Sequence, residues 1–117
     1  MPRIRTLKPT VWADEKFGSL SAYAKLTWIG LITQADDEGR QRFHPRTMRC
    51  TLFPYDDDLT DDDINGFILE ITEAKMARGY IVDSNMYIQI LNWSRHQKIS
   101  HPADSFIPDP PENGECS

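Results

Sequence analysis

The sequence predicts a mainly helical α+β fold, a winged helix-turn-helix with a three-helix core, a β-hairpin wing and a short N-terminal helical arm. Three observations predict it: three segments with apolar residues at helical spacing, a brief strand-like stretch after the first of them, and two β-rich runs around a turn cluster after the third. With 117 residues, the chain suits a single domain. The expected organisation is a basic arm with short helical turns over 1–20, the winged-helix domain over 21–101 and a flexible, proline-rich acidic tail over 102–117.

In the arm, Pro9 to Phe17 is expected to form one or two helical turns, with Trp12 and Phe17 packing onto the core. Ser21 is a good N-cap for a first helix over 22–36, in which Ala22, Leu26, Ile29, Ile32 and Ala35 form a stripe widened by Tyr23, Trp28 and Leu31. Gly39 supplies its left-handed stop. Arg40 to Phe43 is too short for a helix and reads as a strand. Pro45 then fits the first turn of a second helix that ends before Pro54, with Met48, Leu52 and Phe53 inward. Thr60 followed by Asp63 makes a capping-box start for a third helix, and Ile64, Phe67, Ile68, Ile71 and Ala74 carry its apolar face until Gly79. Tyr80-Ile81-Val82 and Met86 to Ile90, around Asp83-Ser84-Asn85, read as a hairpin. Four of the eight prolines lie between Pro102 and Pro111, which prevents regular structure in the tail; Phe106-Ile107-Pro108 is the alternative there, a short partner-binding peptide.

Composition excludes several classes. A hydrophobic fraction of 39% with three Trp disfavours wholesale disorder. The longest apolar run, Trp28 to Ile32, is too short to cross a bilayer, and the start has no apolar signal core, so a cytoplasmic protein is expected, with no membrane partner. Cys50 and Cys116 lie in no zinc or disulfide spacing and read as free thiols. His44, His96 and His101 show no zinc spacing, the Asp56–Asp63 run lacks the glycine and ligand spacing of a calcium loop, and no nucleophile or P-loop motif appears. Neither an enzyme nor a cofactor is expected.

Charge is polarised along the chain. Residues 1–55 carry nine Lys/Arg against five Asp/Glu, whereas residues 56–117 carry four against thirteen. In a helix-turn-helix the last helix normally presents its N-terminal residues to the bases, yet here that end is Asp61, Asp62 and Asp63, preceded by Asp56, Asp57 and Asp58. Asp61 to Asp63 also suit a helix N-terminus electrostatically. Contacts with double- or single-stranded DNA are therefore expected elsewhere: Arg3, Arg5 and Lys8 on the arm, Arg40, Arg42, Arg46 and Arg49 around the second helix, and Arg95, His96 and Lys98 after the wing. Arg46 and Arg49 share a helix face, and Arg95, His96 and Lys98 beside Trp93 make a basic-aromatic mix suited to single strands.

Four fragments taken together resemble phage and prophage replication proteins: Met1 to Trp12, Trp28 to Leu31 with Ala35 to Arg40, Phe53 to Asp57, and Tyr87 to Gln97. The resemblance spans residues 1 to about 101 and implies a winged-helix domain like the N-terminal domain of DnaD-type replisome organisers. Its implied role is DNA binding in replication initiation or its regulation, with a replication or host protein as a further partner and self-association as a homodimer. The alternative is a protein-protein interaction module or inhibitor whose carboxylates at Asp56–Asp58 and Asp61–Asp63 imitate a phosphate row and engage a host nucleic-acid-binding protein.

Overall fold

The computed structural model describes residues 4–97, 105 and 107–110. Among them the order is a 3-10 turn at Pro9–Ala13, α1 (Glu15–Gly18), α2 (Ala22–Gln34), β1 (Arg40–Arg42), α3 (Pro45–Leu52), α4 (Asp61–Glu73), β2 (Ala77–Val82), β3 (Asn85–Ile90) and α5 (Trp93–His96). The three strands form one antiparallel sheet in the order β1-β3-β2. This is a small α+β fold compatible with the expected winged-helix arrangement.

α2 is the central helix, and its inward face keeps Trp28, Leu31, Ile32 and Ala35 of the expected stripe but is shifted in its first half. Ala24, Trp28, Leu31 and Ala35 recur at intervals of three and four and are buried, whereas Ala22, Tyr23 and Leu26 are exposed. Thr27 accounts for the shift: its hydroxyl donates to the Tyr23 carbonyl at 2.8 Å, so a polar residue enters the core with its hydrogen bond made. Opposite Gly30, the Leu52 side chain of α3 lies 2.5 Å from where a Cβ would stand, so this glycine sets the close approach of the two helices. α4 packs against both α2 and α3, sending Ile64, Ile68 and Ile71 inward. Trp12, expected in the core, is largely exposed and touches Phe17 edge-on.

Helix ends also differ from expectation. α2 stops at Gln34 rather than residue 36, because Asp36 turns the chain: its carboxylate accepts from the Glu38 and Arg40 amides. α4 stops at Glu73, well before Gly79. Its stop is a Schellman turn, in which Lys75 holds φ 63° and the Lys75 and Met76 amides donate to Thr72 and Ile71. A lysine there instead of glycine hides the signal in the sequence. β2 consequently begins at Ala77 and places Gly79 inside the strand. The hairpin closes with a two-residue turn, Asp83-Ser84, both at positive φ, and Asn85 joins β3.

The sheet has two unlike faces. Gln41, Ile88, Ile90 and Ala77 face the helices, while Arg40, Arg42, Tyr87, Gln89, Arg78 and Tyr80 occupy the other side by strand alternation. Residues 107–109, in the tail expected to be flexible, lie against this outer side. The Tyr80 hydroxyl donates to the Pro108 carbonyl at 2.8 Å, and Arg40 pairs with Asp109 at 2.8 Å. No helix among the described residues is long and apolar enough to cross a membrane.

Candidate nucleic-acid interface

The expected cations divide into those used inside the fold and those left on its surface. Arg5 belongs to the first group and corrects the picture of a free arm. Its guanidinium donates to Asp37 and to the Ala35 carbonyl, both at 2.9 Å, and lies over the Trp93 ring, with both ion-pair side chains only 4% exposed. Trp93 in turn donates from Nε1 to the Asp37 carbonyl at 2.8 Å. Gly39 completes this knot: at φ 79°, a Cβ there would sit 2.8 Å from the Trp93 ring. A guanidinium so enclosed presents no donors to a phosphate.

Arg40 and Arg49 are also engaged. Arg40 meets Asp109 and, at 3.7 Å, Glu38. Arg49 donates from Nε to Asp61 at 2.8 Å, a hydrogen bond that raises its pKa above the ordinary value. The shared helix face with Arg46 therefore includes one neutralised cation. Arg46 is exposed on α3, and exposed Arg42 donates to the Asn85 side chain at 2.9 Å. Arg3, Lys98 and His101 lie outside the described residues.

Part of the acidic run is likewise local. Asp63 closes the capping box with Thr60 in both directions, at 2.9 and 3.1 Å, and Asp61 holds Arg49. Asp57, Asp58 and Asp62 remain exposed and Asp56 is half-buried. No group of three or more His, Cys, Asp or Glu among the described residues is placed to hold a metal ion.

Lys8, Arg95 and His96 do come together. They line a cleft of about 350 Å³ between the arm, α2, the turn after α4 and α5. The arm is held there by Gln97, which accepts from the Thr6 amide at 3.0 Å and donates to the Thr6 carbonyl at 2.7 Å. Lys16 and Lys75 join from α1 and the Schellman turn, while Asp14 is the one carboxylate among the described residues that line the cleft. Trp28, Ile32 and Met76 form apolar wall. The ammonium groups of Lys8 and Lys16 donate to the main-chain carbonyls of Arg95 and Lys75, neutral partners that position the charges without cancelling them. Lys16 and Lys75 escape sequence reasoning because each looks like an isolated helix-surface lysine; the left-handed turn aims the second.

His96 packs edge-on against Trp28 at 5.8 Å. Burial pushes its pKa below 6.5, the Lys8 ammonium lowers it further, and Asp14 opposes both. The native fold therefore resists protonating this ring. Its contribution to stability is full above pH 6.5 and is lost as pH falls through the depressed folded value. A polyanion in the cleft reverses the electrostatic cause, so binding is expected to strengthen on acidification and to raise the His96 midpoint. An imidazole NMR titration with and without DNA checks this; His96→Gln should remove that part of the pH dependence.

No family model, curated protein or solved structure matches this chain.

Proposed function

We propose that the protein is a non-enzymatic winged-helix module that binds DNA, in replication initiation or its regulation of the phage type that its motifs resemble. The convergence of Lys8, Lys16, Lys75 and Arg95 on one cleft, against one carboxylate, Asp14, among the described lining residues, carries this reading. The order β1-β3-β2 behind α2, α3 and α4 supports the winged-helix assignment. The DNA-contacting side is the arm and α5 side. The acidic start of α4 repels a phosphate backbone, and the exposed positions of that helix include Asp62, Asn65, Gly66 and Glu73 but no Lys or Arg. A cleft of about 350 Å³ is of the size that receives a small ligand unit, so one nucleotide's sugar and phosphate is the natural occupant, with neighbouring phosphates reaching the exposed rim.

Gel shifts over a salt series test the assignment. Neutralising about four phosphates on duplex DNA gives a log–log salt slope near −3.6; a slope near zero would remove the cleft from the interface. Lys75→Gly separates charge from folding. Glycine suits the left-handed position better than lysine, so stability should hold or rise by up to about 1 kcal/mol, while DNA affinity falls about three- to tenfold through loss of one phosphate contact. Thermal melts beside the gel shifts read both effects; affinity unchanged in a stable Lys75→Gly protein would exclude Lys75.

A further inference from the structure

The outer face of the sheet combines cations and aromatic rings in a way the cleft does not use. In register across the strands, Arg40, Gln89 and Arg78 form one row, and Arg42, Tyr87 and Tyr80 the next. Tyr80 and Tyr87 stack with centroids 5.5 Å apart. Tyr80 is fully buried although it lies outside the hydrophobic core cluster. The chain's own residues 107–109 lie over it: Pro108 accepts from the Tyr80 hydroxyl, and Ile107 and Asp109 offer oxygens to the Arg40 guanidinium at 3.5 and 2.8 Å.

The geometry points to a second nucleic-acid surface here, a stacking platform for a single strand that residues 105 and 107–110 occupy and block until displaced. What the segment presents to Arg40 and Tyr80 is acceptors alone, two carbonyls and a carboxylate, in the role that phosphate oxygens fill on a strand. The described occupant carries one carboxylate, Asp109, and no Lys or Arg, so it has a strand's charge sign. Guanidinium groups beside stacked tyrosines suit unpaired bases of any sequence. The hold is also of a displaceable kind. The Asp109 side chain is 84% exposed, and an ion pair so open to solvent contributes little. Ser105 adds hydrogen bonds to Asp36 and Glu38 at the rim. Those two carboxylates repel phosphates, which directs a bound strand along the Arg40–Gln89–Arg78 row.

Fluorescence anisotropy of a labelled thymidine oligonucleotide of roughly ten bases, long enough for one such groove, tests the proposal on the full chain. Asp109→Arg should tighten binding about tenfold, because it undocks the segment, whereas Asp62→Arg, the same charge change on α4, should gain less than about threefold. Adding Tyr87→Leu or Arg78→Gln to Asp109→Arg should abolish the gain with the thermal midpoint held. The gain should also persist when Lys8 and Arg95 are both Glu, which distinguishes this surface from the cleft. Equal gains from Asp109→Arg and Asp62→Arg would overturn the proposal. So would a gain that survives Tyr87→Leu and Arg78→Gln, a gain that disappears with the cleft residues, or release of the segment with uptake of an acidic peptide and no oligonucleotide.

Discussion

Asp37→Ala is expected to destabilise the fold by about 3–5 kcal/mol, the usual cost of leaving one member of a buried ion pair without the other. Its partner Arg5 is sealed under Trp93, and both side chains are 4% exposed, so water cannot replace the lost carboxylate. Domains of this size are commonly stable by only about 5–15 kcal/mol, and a fall of more than about 10 °C in thermal midpoint follows. Circular-dichroism melts read it. The double change Arg5→Met with Asp37→Leu should recover much of the loss, since apolar residues of similar volume can replace a buried pair. A loss below about 1 kcal/mol for Asp37→Ala would show that Arg5 finds solvent, returning it to the set of cations free to meet DNA. The same contacts organise the cleft, because the arm that carries Lys8 is anchored by Arg5 on one side and by the Thr6–Gln97 pair on the other.

Lys8→Glu with Arg95→Glu is expected to weaken DNA binding about 100-fold or more at moderate salt. Two phosphate contacts are removed and two repulsive charges take their place, and each tenfold step needs only about 1.4 kcal/mol. Both side chains are exposed, so the melting temperature should move little. The salt dependence should flatten at the same time, which a gel shift at two ionic strengths detects. Retention of wild-type affinity by this double variant would transfer the interface to Arg42 and Arg46, the exposed cations near β1 and α3.

Much of the architecture is legible along the chain because its signals are local. Ser21 and Thr60 cap their helices as their hydroxyls require, Pro45 opens α3, and the Asp83-Ser84 turn closes a hairpin between β-rich runs. Legibility fails where a residue does something unusual for its type. Lys75 in a left-handed turn conceals the end of α4, and Thr27 satisfied inside the core shifts the buried stripe of α2.

The site is less legible. Lys8 is separated from the adjacent Arg95 and His96 by most of the chain, and the sequence places them only in a scattered basic set; Lys16 and Lys75 carry no local mark at all. Charge by itself also does not reveal that Arg5, Arg40 and Arg49 are ion-paired, because a guanidinium in sequence looks the same whether it faces solvent or a carboxylate.

Sequence by itself determined the element order as far as β3, the N-terminal caps of α2 and α4 and the acidic lead of α4, since these depend on neighbours within one or two turns. Only the tertiary structure decided which cations are spent on Asp37, Asp61 and Asp109, which converge beside Trp28, and that residues 107–109 lie across the sheet. Long-range ion pairing and burial depend on which distant residues packing brings within a few ångströms, a quantity no local pattern encodes.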